Sequence, residues 1–307
     1  MTYVATLIAH RCAPLPAGIE GLAASILPGQ GRPAWLDHGL ALDIPFTPPA
    51  SASHDAAADR RMARAVRASL VAAIGHAAVD VVVQQAAGRR KRLLLADMDS
   101  TMIGQECIDE LADFIGERPR IAAITERAMR GEIEFAPALR ERVAVLRGLP
   151  AAAVDEVIAR RITLTPGGRT LVQTMRRNGA YTCLVSGGFT AFTARIAAQL
   201  GFDENRGNRL VVAADGRFSG IVAEPVLGAD AKLETLKELR RKLGLARHET
   251  LVVGDGANDL AMIREAGLGA AFRAKPVVAQ AADLRVENGD LTALLFAQGY
   301  RRQEFVE

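Results

Sequence analysis

From residue 92 onward, three long apolar runs organise the chain: RLLLADMD, AYTCLVSGG and ETLVVGDGAND. They are apolar at nearly every position, not at every second one. Such runs belong to strands covered on both faces, and so to a parallel sheet in an α/β domain. GLGAAF and ADLRV read as two shorter strands of the same kind. Each long run ends in polar, glycine-rich residues. Ligands of open parallel sheets bind outside the carboxyl ends of the strands, which places DMDST, SGG and GDGAND at one edge. Between the first two runs, over about 104–165, the periodicity becomes helical. ECIDELADFIG, ERPRIAAITERAMRG, FAPALRERVAVLRG and AAAVDEVIARR predict four amphipathic helices. This insertion is too long for a simple crossover, and its position beside the first motif predicts a cap over the site. RLVVAADGRFSGIV, with its Asp-Gly turn between alternating runs, predicts a β-hairpin.

Residues 1–85 follow another rhythm. YVATLIAH and VDVVVQQ read as strands, and AWLDHGLALDIPF alternates around a His38-Gly39 turn. RRMARAVRASLVAAIG has helical spacing, with Met62, Val66, Leu70 and Ala73 on one face. With a weak helix at 16–27, the order is βαββαβ, a small α+β sandwich. AAGRRKR (86–92) reads as the linker. The expected architecture is α/β: a Rossmann-like parallel core with a helical cap, residues 86–307, preceded by a small α+β domain, residues 1–85.

Composition changes this picture little. The 307 residues carry a net charge of +3, and the excess lies in scattered arginines such as RRMARAVR, which read as solvated helix faces and imply no nucleic acid. Cys12, Cys107 and Cys183 form no CxxC and have no histidine at ligand spacing. A disulfide framework and a zinc site are not expected, and a reducing cytoplasm fits. Cys183, inside YTCLVS, reads as a small core residue. No apolar run reaches the ~18 residues of a membrane span. The N-terminus lacks a basic segment before its apolar stretch, so a signal peptide is not expected.

The chemistry gathers where the strands end. Asp97 and Asp99, one residue apart, can converge on one ligand once the chain leaves the strand. Two like charges so close need a cation, or separate roles, to coexist. Asp255 closes the third run; with Asp97 and a backbone carbonyl it suits Mg²⁺, which takes few protein ligands. Asn258 and Asp259 also read as caps of the next helix. Ser186, Gly187 and Gly188 offer a hydroxyl and bare N–H groups at a helix start, a phosphate-binding arrangement that by itself also reads as a turn. Lys232 can reach such a phosphate as a point charge, or lie on the surface.

The order D-x-D-S-T, S-G-G, K, G-D-G-x-N-D resembles that of the haloacid dehalogenase-like phosphatases, and most of all the phosphoserine phosphatases among them; the likeness covers about residues 92–300. The resemblance implies that Asp97 is the nucleophile and forms a phosphoaspartate, dividing one hard displacement in two. It implies that Asp99 protonates the leaving oxygen and then deprotonates the attacking water. By the same likeness Asp97, the backbone carbonyl of Asp99 and Asp255 hold Mg²⁺, and Asp259 supports those ligands. Ser186, Gly187 and Lys232 hold the phosphoryl group, and Asn258 touches the phosphate or its waters. In similar enzymes a glutamate nine residues after the nucleophile, here Glu106, binds the substrate ammonium. A cap arginine, here Arg142, binds its carboxylate, and Met129 and Phe135 close over the substrate. The implied partner is a small molecule, O-phosphoserine; another small phosphomonoester such as phosphohomoserine stays open. A non-catalytic protein of this fold would be expected to lack Asp97 or Asp99. The N-terminal part has the look of the ACT-like domain of longer phosphoserine phosphatases, through which a homodimer is expected.

Overall fold

In the computed structural model the apolar runs become adjacent strands. The structure describes residues 2–10, 12–48, 56–130 and 132–307, without the side chains of Ala56 and Met129. The first part contains β1 (Tyr3–Ala9), α1 (Ile19–Ala24), β2 (Ala34–Asp37), β3 (Ala41–Phe46), α2 (Ala56–Ile74) and β4 (Val79–Gln85). This is the expected βαββαβ order, paired as an antiparallel sheet in the order β2-β3-β1-β4. Alternate residues of these strands face opposite ways. Leu7, Leu42 and Ile44 pack under α1 and α2, while Ile8, Ala41 and Val82 turn toward the rest of the chain. The stripe on α2 continues from Leu70 to Ile74, not to Ala73, which is exposed; a step of four keeps Met62, Val66, Leu70 and Ile74 in register on the sheet.

The second part begins with β5 (Leu93–Ala96). Four cap helices follow: α3 (Cys107–Phe114), α4 (Arg118–Met129), α5 (Phe135–Val145) and α6 (Ala153–Arg161). Next come α7 (Gly168–Arg177), β6 (Tyr181–Phe189), α8 (Thr190–Leu200), β7 (Glu204–Asn208), the hairpin β8 (Leu210–Val212) and β9 (Phe218–Val222), and α9 (Ala229–Lys242). The chain closes with β10 (Thr250–Gly254), α10 (Leu260–Glu265), β11 (Leu268–Phe272), α11 (Pro276–Ala281), β12 (Leu284–Val286) and α12 (Ala293–Ala297). Six strands form a parallel sheet in the order β12-β11-β10-β5-β6-β7. Both faces of its centre are apolar: Leu93 and Leu95 pack toward α9 and α10, whereas Leu94 and Ala96 join the core toward the cap, α7 and α12. That double burial is why these runs lack alternation. β7, ENRGN, was not expected; it is a polar edge strand and carries no apolar signal.

From β5 the chain adds β6 and β7 on one side, then β10, β11 and β12 on the other. The switch of direction opens a crevice at the carboxyl end of β5. The cap joins the core through two antiparallel stretches. Gly104 donates to the Thr163 carbonyl (3.0 Å) and Thr165 to the Met102 carbonyl (3.0 Å). At its other end the cap is tied to the hairpin: Gly148 donates to the Phe218 carbonyl (2.8 Å) and Ala151 to the Gly216 carbonyl (3.0 Å). Arg140 and Glu224 form an exposed ion pair across the same seam.

Candidate active site

Asp97 leaves β5 in extended backbone and the chain then turns sharply through Met98–Met102. Ser100 sits at φ 55°, in the left-handed region that costs a residue with a Cβ about 1–2 kcal/mol. Its hydroxyl donates to Glu106 Oε1 (2.7 Å), so the strained turn also holds the first residue of the cap. The turn aims the two acids at different partners. Asp99 Oδ1 accepts from the Cys107 N–H (2.9 Å) at the start of α3, a favoured place for a carboxylate. Asp99 Oδ2 accepts from the Ser186 hydroxyl (2.9 Å).

Ser186, Gly187 and Gly188 lie within the irregular end of β6, not in the first turn of α8. Ser186 Oγ also accepts from the Gly188 N–H (2.8 Å). A Cβ on Gly188 would stand 3.0 Å from both Asp99 Oδ2 and Ser186 Oγ, so this contact leaves almost no room for a side chain. Asn208, at the end of β7, donates to the carbonyls of Gly187 (2.8 Å) and Leu227 (3.0 Å) and accepts from the Leu227 N–H (2.7 Å). It thus clamps the SGG segment to both ends of the hairpin excursion. Sequence reading missed Asn208 because a lone asparagine on an edge strand carries no pattern.

Lys232 lies in α9 with its ammonium buried between Asp97 Oδ1 (2.6 Å) and Asp259 Oδ1 (2.7 Å). Burial opposes its charge, but Asp97 and then Asp259 outweigh that and hold its pKa above the ordinary lysine value. Asp259 Oδ2 meanwhile accepts from the N–H groups of Asp255 (3.2 Å) and Gly256 (3.1 Å). Asp259 can fold back this way because Gly254 has no side chain; a Cβ there would lie 2.4 Å from the Asp259 carboxyl carbon.

Carboxylate oxygens of Asp97, Asp255 and Asp259 lie within 4.8 Å of one another. Burial first, then the like charge of Asp259, raises both Asp97 (well above the usual carboxylate range) and Asp255. Such crowded acids fit a hard cation that takes oxygen ligands. Asp259 has both oxygens engaged. Asp97 Oδ1 accepts from Met98 N–H and Lys232, and Asp255 Oδ1 from Thr101 (3.3 Å). Asp97 Oδ2 and Asp255 Oδ2 are therefore the oxygens left to a metal ion.

The cap closes this edge into a cavity of about 180 Å³. Asp97, Asp99, Ser186, Gly187, Asp255 and Asn258 line its floor, and Glu106, Phe135 and Arg142 its roof. The two neighbouring arginines divide: Arg142 faces the cavity, whereas Arg140 pairs with Glu224 outside. Phe135, 41% exposed, lies over the backbone of Gly187 and Gly228. The side chain of Met129, at the end of α4, lies outside the described residues. Water in the open cavity still reaches Glu106, yet the walls crowd its carboxylate; that desolvation, with Asp99 nearby, pushes its pKa up to about 7. Burial lowers Arg142, and Asp109 and Glu106 oppose that shift. Lys275, just after β11, also lines the cavity and was not anticipated; its sequence context, FRAKP, gave no distinguishing signal.

Residues 94–264 match the family model of the haloacid dehalogenase-like hydrolases. The chain belongs to that family. Phosphoserine phosphatase SerB2 of Mycobacterium tuberculosis is 42% identical over 228 residues, 74% of this chain and 55% of that protein. The chain thus spans about half the length of that curated relative. Among solved structures, a HAD family hydrolase from Salmonella enterica serovar Typhi superposes with a TM-score of 0.80 at 28% identity, covering 96% of this chain and 98% of that one. A phospho-aspartyl intermediate analogue of phosphoserine phosphatase has a TM-score of 0.61 at 39% identity, covering 67% of this chain and 98% of that one. No helix among the described residues is long and apolar enough to cross a membrane.

Proposed function

We propose that the protein is a Mg²⁺-dependent phosphoserine phosphatase that works through a phosphoaspartate on Asp97. The observation that carries this reading is one cavity with Asp97 and Asp99 at its floor and Glu106 and Arg142 at its roof. A phosphate, an ammonium and a carboxylate then each meet a group of suitable charge. The cavity is below the ~300–1,000 Å³ of drug-sized sites, as a small metabolite requires. The relatives' printed names support the same substrate.

In this reading a carboxylate oxygen of Asp97 attacks phosphorus, and the serine oxygen departs with a proton from Asp99. Asp99 then takes a proton from the water that attacks the phosphoaspartate, and Asp97 is released with inorganic phosphate. Lys232, the Ser186 hydroxyl and the Gly187 backbone bind the phosphoryl oxygens. Asp97, the Asp99 carbonyl and Asp255 would hold Mg²⁺, which would supply positive charge against the developing negative charge of the phosphoryl group. Asp259 positions Asp255 and Lys232, and Asn258 borders the phosphate.

The deciding assay is phosphate release from L-phosphoserine, with Mg²⁺ and with EDTA, beside phosphohomoserine, phosphothreonine and p-nitrophenyl phosphate. Metal-dependent turnover of phosphoserine is expected, with EDTA abolishing it. Turnover of p-nitrophenyl phosphate but not phosphoserine would remove the roof residues from the substrate assignment. One methylene is worth only ~1–3 kcal/mol in a pocket, so phosphohomoserine is the sharpest competitor.

Arg142→Lys loses the planar fork that pairs with a carboxylate. It is expected to raise KM for phosphoserine about 10- to 100-fold, as the loss of a charge-assisted bond of ~1.5–3 kcal/mol implies, with p-nitrophenyl phosphate unaffected. Glu106 must be ionised to hold an ammonium. Raising pH from below 7 removes its proton, so kcat/KM for phosphoserine should climb and then level; bound Mg²⁺ lowers that midpoint below about 7. Glu106→Gln should erase this limb, and a profile identical to the parent's would refute the assignment.

The same reading takes residues 1–85 as an ACT-like unit through which a homodimer forms. Its support is β2, an outer edge with no strand partner on its far side among the described residues. Sedimentation of the full chain tests it, and a monomer at micromolar concentration would exclude it.

A further inference from the structure

We propose that the cleft between the four-stranded unit and the six-stranded unit binds a small organic anion: a carboxylate- or phosphate-bearing molecule with an apolar body. The cleft is a separate cavity of about 340 Å³, larger than the one at the strand ends. It opens at the opposite edge of the parallel sheet, where Arg247 precedes β10, Leu268 starts β11 and Asp283 precedes β12.

Its walls are cationic. α2 contributes Arg60, Arg64 and Arg67, the linker region Lys91, and the segment before β10 Arg247. Against these five stand two carboxylates, Asp59 and Asp283. Most of the cations are satisfied by carbonyl oxygens, which accept hydrogen bonds but supply no net charge. Lys91 donates to the carbonyls of Gly88 (3.1 Å) and His248 (2.8 Å). Arg67 donates to those of Ala282 (3.2 Å) and Asp283 (2.7 Å), and Arg247 to those of Glu265 (2.8 Å) and Arg264 (2.7 Å). Asp283 is shared by Arg60 (3.3 Å) and Arg64 (3.2 Å). Lys91 and Arg67 are only 7% and 8% exposed, and neither has a carboxylate within ion-pair distance among the described residues. Buried charges without a counter-ion are costly. The strain registers on Lys91, whose pKa burial pushes down to about 8.

Tyr3 borders the same space, with its hydroxyl buried beside Asp59 and Gln85. Arg64 Nε is buried without a hydrogen-bond partner among the described residues. Gripping the ends of α10 and α11 accounts for the bonds of Arg60, Arg64 and Arg67. It does not account for the open volume or for Lys91. Ala63, Val83 and Leu268 supply the apolar wall. An anion with an apolar body answers all of these at once.

Titration calorimetry of the full chain with succinate, benzoate and phenylphosphonate, and with benzylammonium as the cationic control, tests the proposal. At least one anion should bind once per chain and benzylammonium should not. Ala63→Phe puts a ring into the cleft, removes no charged group, and should weaken that binding at least about tenfold; Lys91→Met should do the same. If Lys91→Met fails to fold, Ala63→Phe decides alone. Arg142→Lys should leave the binding unchanged. No anion binding at millimolar concentration, binding that survives Ala63→Phe, or binding lost in Arg142→Lys would each overturn the proposal.

Discussion

Asp97→Asn is expected to release no measurable phosphate from phosphoserine while the chain stays folded. Its amide keeps the shape that accepts from the Met98 N–H, a bond of 2.8 Å in the parent. What disappears is the anionic oxygen that the proposed mechanism sends against phosphorus. Losing a covalent nucleophile lowers kcat by many orders of magnitude, at least about 10⁴-fold. Stability should change little. Asp97 is buried and crowded by Asp259 as well as paired with Lys232, so neutralising it removes a repulsion along with an attraction. Lys232 retains Asp259 at 2.7 Å. The check is a sensitive phosphate assay beside a thermal melt. Substantial turnover by a folded Asp97→Asn protein would exclude Asp97 as the nucleophile.

Lys232→Met should be damaging in both respects. The ammonium is 2% exposed and bridges two carboxylates that are 6% and 0% exposed. Removing it leaves both acids buried without their cation, a change that typically costs about 3–5 kcal/mol. Urea denaturation should show that loss in the metal-free protein, and phosphate release should fall with it if Lys232 donates to the phosphoryl group as proposed. Adding Asp97→Asn to Lys232→Met should recover part of the stability, since one unpaired charge is gone; the two changes share a contact and cannot simply add. An unchanged denaturation midpoint for Lys232→Met would contradict the buried bridge.

The parallel core was legible because its strands are buried on both sides, so Leu93, Leu94 and Leu95 spell a run that few other structures need. The four cap helices were legible from their stripes, and the hairpin from its Asp-Gly turn. The floor of the cavity could be anticipated because motif residues stand at strand ends or directly after them. What escaped lacks a local signature. β7 is polar because it lies at the edge of the sheet. Asn208 acts through three backbone groups that are distant in sequence. Ser100 and Thr101 were visible as a pair, but their partners Glu106 and Asp255 are set by the turn, not by spacing. Arg140 and Arg142 differ by two residues; the family likeness singled out Arg142, and packing does turn that one inward.

The cap's two attachments have a mechanical consequence. It is bonded to the core at one end by the 102–105 and 163–165 stretches and to the hairpin at the other. Asn208 and Leu227 pin that hairpin in turn. A plate fixed along one edge swings; a beam fixed at both ends can only bow. Opening of the cavity is therefore expected as flexing at mid-span, where the Phe135 ring rests on Gly187 and Gly228, rather than as a swing that would carry Glu106 and Arg142 away from the floor.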